Sequence, residues 1–267
     1  MSTILRLGPY ARAGLPNVAR HVRVYVPSWA PARDRPVLYL FDGQNVFDDA
    51  SSYAGGWHAH EEVERLSRRV VPPVIVGIEH GEKHRLDELS PFPFQGHRGS
   101  LDALLAWMLG FLLPELSQRL SLTRDPSRIV IGGSSMGGLA SLYAALRHPE
   151  AFGGALSMSP SLFVGNHGLL AWVKSHKLPR RSRIYLDAGA REAGGKLLRS
   201  AEQLAAALGE AGIEELAFRA DPKGTHSEAC WRRRLLPALR FHYGHAKGGG
   251  RTSLAPPSLR PPPGRQP

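Results

Sequence analysis

The sequence predicts an α/β domain whose central sheet is largely parallel. Short apolar runs alternate along the chain with segments of helical periodicity, which is typical of repeated strand–helix units. Runs such as VLYLF (37–41) and PVIVGI (73–78) are apolar at almost every position, as expected of strands that helices cover on both faces. The 267 residues show no internal repeat and no second domain, so we expect one fairly large domain with a sizeable core.

The individual elements follow from the same patterns. Strands are predicted in chain order at 21–27, 37–41, 73–79, 128–133, 154–159, 183–189 and 215–221. Helices are predicted near 58–69, 101–120, 136–147, 196–211 and 228–241, where apolar residues recur at helical spacing. The segment 80–100 has no periodic pattern, and a loop of that length in a compact domain is more often functional than idle.

The composition is that of an ordinary globular protein, with 42% hydrophobic and 21% charged residues. A single cysteine, Cys230, excludes an internal disulfide and a zinc site built from cysteines. The N-terminus lacks the apolar stretch and cleavage site of a signal peptide, and the longest apolar run, 103–113, is too short to span a bilayer. We therefore expect a soluble, cytoplasmic protein without membrane association.

The net charge of +11 is concentrated near the C-terminus. Residues 229–267 contain eight Lys or Arg and no acidic residue, which leaves +3 for the first 228 residues. Residues 1–243 are predicted to form the folded domain, and residues 244–267 a Gly/Pro-rich basic tail without a packed core. Because the charge does not form a stripe across the fold, we expect no specific nucleic-acid partner.

The strongest motif lies between a predicted strand and a predicted helix. Residues 133–137 read Gly-Ser-Ser-Met-Gly, which is the G-x-S-x-G pattern of a nucleophile elbow centred on Ser135. Centring the pattern on Ser134 would place Met136 where a small residue is needed to let strand and helix approach. A phosphate-binding loop would require a following lysine, which is absent, whereas a purely structural turn stays possible on this motif alone.

A serine nucleophile needs a general base, which in this type of site follows late in the chain. His226 lies between the strand 215–221 and the helix 228–241, which is the expected position. His242 and His245 follow the last helix, a poor place from which to reach the carboxyl edge of the sheet. His226 is therefore the predicted base.

The acid that orients the base is expected after the strand 183–189. Glu192 lies in the loop beyond that strand and is the preferred candidate. Asp187 lies within the strand and is its main rival, while Asp221, after the following strand, is a weaker one.

Two backbone N–H groups are expected to stabilise an oxyanion. One belongs to Met136, the residue after the nucleophile, and the other to Gln44 in the DGQN loop after the strand 37–41, where Gly43 lets the backbone bend closely. The dinucleotide-binding glycine pattern is absent, and HAHEE at 58–62 lacks the continuation of a binuclear hydrolase site, so neither cofactor nor metal is predicted.

Several segments together resemble the putative esterase family, which includes enterochelin esterases, feruloyl esterases, S-formylglutathione hydrolases and mycolyltransferases. The segments are LYLFDGQNVFDD, GGWH, VGIEHGEKHRLDELSPF, IVIGGSSMGGLASLYAALRHPEAFGGALSMSPSL and GTHSEACWRRRLLPAL, within roughly residues 20–242. The resemblance implies an α/β-hydrolase fold, a three-layer sandwich around a mostly parallel sheet, with a serine triad and no cofactor. It matches Ser135 to the nucleophile, His226 to the base, and Met136 with Gln44 to the oxyanion donors. Glu192 falls where the family's acid usually sits, although GARE departs from the commoner spellings.

Further positions are candidates for contact with the substrate. Arg85 and Glu88 match a recurrent R-x-x-E-L-x-P element beside the active site of this family, where they either shape a substrate loop or form a structural ion pair. Asp42 and Trp57, like the aromatic residues Phe92 and Phe94, are candidates to line an acyl or aryl pocket, with core packing as the alternative.

These residues predict a serine carboxylic-ester hydrolase that works through an acyl-enzyme on a small-molecule ester. A siderophore lactone, an aryl ester and a small ester all fit as substrates. An acyltransferase with an alcohol acceptor would use the same triad, and a non-catalytic basic binding protein would require the triad to be broken.

Overall fold

A computed structural model of the protein describes residues 4–11, 19–52 and 54–244. Its centre is one eight-stranded sheet with the order β1-β2-β4-β3-β5-β6-β7-β8. The strands are β1 (Ile4–Tyr10), β2 (Arg20–Tyr25), β3 (Val37–Phe41), β4 (Val74–Ile78), β5 (Ile129–Ser134), β6 (Gly154–Met158), β7 (Arg183–Gly189) and β8 (Glu215–Asp221). β2 runs antiparallel to both of its neighbours, and all pairs from β4 to β8 are parallel.

Helices cover both faces of this sheet. They are α1 (Ala59–Glu64), α2 (Arg85–Glu88), α3 (Leu101–Trp107), α4 (Leu113–Leu120), α5 (Met136–Arg147), α6 (Gly168–Ser175), α7 (Lys196–Glu210) and α8 (Glu228–Tyr243). A π-helical turn, Met108–Leu112, joins α3 to α4, and short 3₁₀ turns occupy Gly43–Asn45, Glu82–His84, Pro126–Arg128 and Glu192–Gly195. None of the helices in the described ranges is long and apolar enough to cross a membrane; the cytoplasmic location stays a prediction.

The core has two parts because successive side chains of a strand point to opposite faces. In β3, Tyr39 and Phe41 pack into one cluster with α3, α4, α5, α6 and α7, whereas Leu38 and Leu40 pack into the other with α1 and α8. Two helical layers therefore enclose the sheet, which confirms the predicted three-layer sandwich with a mostly parallel sheet.

All predicted strands are present, with ends within two residues of the expected positions. One strand and two helices were not predicted, namely the edge strand β1, the short helix α2 and the helix α6. The helix expected at 58–69 ends at Glu64, and the segment 80–100 contains the short helix α2. The predicted domain boundary lies at the end of α8, but it stays a prediction because the tail from residue 245 onward, including His245, lies outside the described residues.

The parallel register aligns the carboxyl ends of four strands. Ser134 at the end of β5 is opposite Met158 of β6, and Met158 is opposite Asp187 of β7. Gly189 at the end of β7 is opposite Asp221 of β8. Loops leaving these strands therefore start from one edge of the sheet, where open α/β folds form their sites.

Candidate active site

Ser135 occupies the sharp turn between β5 and α5. Its backbone angles are φ 54° and ψ −119°, a conformation that residues with a side chain rarely adopt. A Cβ on Gly133 would come within 2.8 Å of the Gly137 backbone, so both glycines of the motif allow the strand and helix to approach. The backbone N–H of Ser135 donates to Met158 at 3.0 Å, and its carbonyl accepts from the N–H of Ser161 at 3.0 Å.

Three of the predicted residues form a continuous hydrogen-bonded chain. The Ser135 Oγ lies 3.0 Å from His226 Nε2, and His226 Nδ1 lies 2.8 Å from Glu192 Oε2. The carboxylate can only accept, so Nδ1 is the protonated nitrogen and Nε2 is free to accept the proton of Ser135. His226 is half-exposed on the loop after β8, whereas the Glu192 side chain is fully buried.

The second carboxylate oxygen of Glu192 is fixed by neighbours from three parts of the fold. Oε1 accepts from Ser159 Oγ at 2.7 Å and from the Gly189 N–H at 2.8 Å, and Arg234 Nη2 lies 3.5 Å away. Burial opposes ionisation of Glu192, but hydrogen bonds from His226, Ser159 and Gly189 outweigh it and hold its pKa below the ordinary value. The acid is therefore ionised in the folded protein.

The alternative acids are engaged elsewhere. Asp187 is fully buried with its Oδ1 3.0 Å from Arg234 Nη1, and Asp221 accepts a hydrogen bond from Arg233 at 2.5 Å. Burial raises the pKa of Asp187 to about 7; Arg234 opposes that rise and the nearby Glu192 charge adds to it. Glu192 is therefore the carboxylate that accepts the hydrogen bond from His226 Nδ1.

The two predicted oxyanion donors follow the ends of two adjacent strands, β5 and β3. Met136 is the first residue of α5, where backbone N–H groups have no acceptor within the helix. Gln44 lies in the turn Gly43–Asn45 directly after β3, the neighbour of β5. A side chain on Gly43 would collide with the backbone of Gly77 in β4, so glycine allows this turn to lie close to the sheet.

Asp42 and Arg85 form a bidentate ion pair beside the turn. Arg85 Nε donates to Asp42 Oδ1 at 2.7 Å, and its Nη2 donates to Oδ2 at 2.8 Å. A Cβ on Gly137 would lie 3.4 Å from Asp42 Oδ2, which places this carboxylate against the start of α5. Asp42 is buried, so of the two it is Arg85, 28% exposed, that retains surface to offer a substrate.

The structure does not bring Glu88 and Trp57 to the surface of the site. Glu88 is 2% exposed and forms a buried ion pair with Arg20 of β2, so it anchors the segment 80–100. Trp57 is 3% exposed in the core, with its ring centroid 6.2 Å from that of Trp231. The expectation that these two side chains contact substrate is corrected, because burial leaves them no surface to present.

Sequence reasoning missed several residues that contact the hydrogen-bonded residues Ser135, His226 and Glu192. Ser161 Oγ lies 3.1 Å from Ser135 Oγ, and Ser159 bonds Glu192; both follow the end of β6. From α8, Trp231 packs edge-on against His226 with ring centroids 4.9 Å apart, and Arg234 donates to Ser159 at 3.0 Å. The rule that sites form at carboxyl ends of parallel strands would have found the two serines, whereas the two α8 side chains resemble ordinary core and surface residues in sequence.

A metal-binding arrangement is not found in the described ranges, where no group of three or more His, Cys, Asp or Glu could hold an ion. In the HAHEE segment, His58 instead bonds Asp49 at 2.9 Å.

Comparisons with known proteins point to one family. A family model described as putative esterase matches residues 15–242. The iron(III) salmochelin esterase of Escherichia coli O6:H1 is 30% identical over 236 residues, which cover 83% of this chain and 54% of that protein. The chain therefore spans about half the length of this relative.

Solved structures agree with this likeness. The enterobactin esterase of Shigella flexneri, solved in the presence of enterobactin, matches with a TM-score of 0.72 and 26% identity over 90% of this chain and 57% of that one. A ferulic acid esterase matches with a TM-score of 0.69 over 90% of this chain and 98% of that one, and its 19% identity shows the fold alone. These likenesses confirm the predicted α/β-hydrolase fold.

Proposed function

Because the chain belongs to the putative esterase family, we propose that it hydrolyses carboxylic esters through an acyl-enzyme formed on Ser135. The observation that carries this proposal is the hydrogen-bonded chain from Ser135 through His226 to Glu192, with distances of 3.0 and 2.8 Å. It links a nucleophile, a general base and an orienting carboxylate in the order that acyl transfer requires.

In acylation, Ser135 Oγ attacks the ester carbonyl carbon and its proton passes to His226 Nε2. Glu192 holds the ring by Nδ1 and stabilises the imidazolium that forms. The N–H groups of Met136 and Gln44 receive the carbonyl oxygen as it gains negative charge. His226 then gives its proton to the departing alcohol, and water activated by the same nitrogen hydrolyses the acyl-enzyme.

For the substrate we propose a small-molecule ester with an aromatic part, such as a siderophore lactone or an aryl ester. The salmochelin esterase at 30% identity supports the first class. Aromatic groups in general are supported by Phe163, two residues after Ser161, which is 53% exposed and has its ring centroid 5.5 Å from that of Phe94.

The direct test is turnover of 4-nitrophenyl butyrate together with covalent labelling by an organophosphonate. We expect the label on Ser135, and Ser135→Ala should lose both labelling and turnover. Ser134→Ala is the matched control, because it removes a hydroxyl one residue away and should keep both activities within a few-fold.

Absence of labelling in the wild-type protein, or equal labelling of Ser135→Ala, would exclude this function. Comparison of enterobactin, feruloyl and short-chain esters then ranks the substrate classes, and product analysis with an added alcohol separates hydrolysis from acyl transfer.

A further inference from the structure

The turn at 159–161, which follows β6, contacts Ser135 through both its backbone and a side chain. Two backbone hydrogen bonds of 3.0 Å hold Ser135, one from its own N–H to Met158 and one from the Ser161 N–H to its carbonyl. The Ser161 hydroxyl adds a third contact, with its Oγ 3.1 Å from Ser135 Oγ. The nucleophilic oxygen therefore has two side-chain partners, an imidazole and a hydroxyl.

The direction of the hydrogen bond between the two serines follows from the rest of the site. His226 donates its Nδ1 proton to Glu192, so its Nε2 accepts, and the hydrogen that it accepts belongs to Ser135. Ser135 Oγ then has only lone pairs to offer Ser161. Ser161 is 3% exposed and its hydroxyl has Ser135 as its one side-chain partner within the described ranges, so Ser161 must be the donor in the reactive arrangement.

We propose that Ser161 is a further catalytic residue, whose hydroxyl stabilises negative charge on Ser135 Oγ in both halves of the reaction; this inference rests on the proposed function. A donor already in place when charge appears lowers a barrier without reorganisation, and a hydrogen bond to a charged oxygen is stronger than one to a neutral oxygen.

The proton and electron balance leaves Ser161 unchanged. During acylation, Ser135 Oγ forms a bond to the carbonyl carbon, the carbonyl π electrons move to its oxygen, and the Ser135 proton moves to His226. The carbonyl then re-forms as the bond to the alcohol oxygen breaks, and that oxygen takes the proton from His226. During deacylation, water bonds the acyl carbon as it gives a proton to His226, and the bond between that carbon and Ser135 Oγ then breaks with its electron pair on Oγ, which takes the proton from His226. Ser161 keeps its own proton in both steps and contributes only the hydrogen bond.

Ser159 provides an internal contrast within the same turn. Its hydroxyl donates to Glu192 at 2.7 Å and accepts from Trp231 Nε1 at 3.1 Å and Arg234 Nη2 at 3.0 Å. Ser159 therefore contacts the acid, Glu192, whereas Ser161 contacts the nucleophile, Ser135. Changes at Ser161 should alter rate constants at every pH, whereas those at Ser159 should act through the acid.

The test compares Ser161→Ala and Ser161→Cys with the wild-type protein in rapid-mixing kinetics on a 4-nitrophenyl ester. Both variants should acylate and deacylate about tenfold to a hundredfold more slowly, the range expected for losing a hydrogen bond to a charged group. Cysteine fills nearly the same space but is a weak donor, so it separates the hydrogen bond from packing. Ser141→Ala, another buried serine whose hydroxyl bonds only backbone carbonyls, is the matched control and should react like wild type.

Two results would overturn the role of Ser161. One is wild-type rate constants in Ser161→Ala, and the other is wild-type rate constants in Ser161→Cys with slow reaction only in Ser161→Ala, which would assign the effect to packing. If Ser161→Ala does not fold, Ser161→Cys alone decides in the same way. Loss of the proposed function itself is distinguishable, because then the wild-type protein would show neither turnover nor labelling.

Discussion

Glu192 and Asp187 are two buried carboxylates near one arginine, but their surroundings assign them different states. Glu192 has donors to both oxygens and its pKa is lowered, whereas burial raises that of Asp187 to about 7. Glu192 can therefore fix the His226 tautomer and compensate the charge that forms on it.

Exchange of each carboxylate for its amide tests this assignment. Glu192→Gln should lower kcat by a factor on the order of 10³ to 10⁴, because an amide can stabilise the wrong histidine tautomer. Asp187→Asn is the matched exchange and should stay within about tenfold of wild type, since Asp187 does not contact His226. Steady-state kinetics on a 4-nitrophenyl ester measures both; an equal loss in Asp187→Asn would contradict the assignment.

Among individual site residues, those whose place in the fold follows from chain order could be predicted from the sequence. Ser135 and His226 each lie in a turn that a strand precedes and a helix follows, so their meeting at the sheet edge could be expected. Glu88 and Trp57 could not be placed in the same way, because the sequence does not show whether a side chain faces a pocket or packs against a buried partner. Ser161 was missed because its importance depends on a 3.1 Å contact across the turn.

Among the elements, the turn at 159–161 connects acid and nucleophile through different hydroxyls. Burial raises the pKa of Glu192, and Ser159 is one of the hydrogen-bond donors that outweigh this effect and keep the pKa low. Because that folded-state pKa is depressed, ionised Glu192 stabilises the protein above its unfolded-state pKa, and this stabilisation is lost as the pH falls through the folded-state value.

Ser159→Ala should therefore make the protein more sensitive to acid. With one donor removed, the Glu192 pKa rises towards the ordinary value, so the loss of stability on acidification should begin at a higher pH than in wild type. Denaturant unfolding between about pH 3 and pH 6, a range that brackets an ordinary glutamate, measures this shift. Coinciding profiles of Ser159→Ala and wild type would show that the hydroxyl does not tune the acid.

The segment 80–100 is attached to the sheet by the buried pair of Glu88 and Arg20. Glu88→Gln removes one charge and leaves Arg20 buried without its counter-ion, which typically costs about 3–5 kcal/mol in free energy of unfolding. Because Arg85, which pairs with Asp42, lies near the start of the same segment, kcat/KM should fall as well. Glu82→Gln, at an exposed position nearby, should change neither quantity; similar urea midpoints for the two variants would contradict the anchoring role.

At the scale of the whole molecule, the buried parallel strands could be predicted because strands covered on both faces are apolar throughout. β1 escaped prediction because it is an edge strand whose side chains are largely exposed and whose apolar pattern is interrupted by Gly8 and Pro9. α6 has only eight residues, too few to establish a helical period. The helix expected at 101–120 is interrupted by the π-helical turn Met108–Leu112, a change in hydrogen bonding that apolar periodicity does not reveal.

The position of α8 has a consequence for biosynthesis. Ser135 is translated well before His226, and Trp231 and Arg234, which pack around the base and acid, follow later still. A domain generally folds as a unit during synthesis, so this site can form only after α8 has left the ribosome. Ser135 would therefore lack its base until β8 and α8 have joined the sheet, and the proposed hydrolysis of esters could not begin before then.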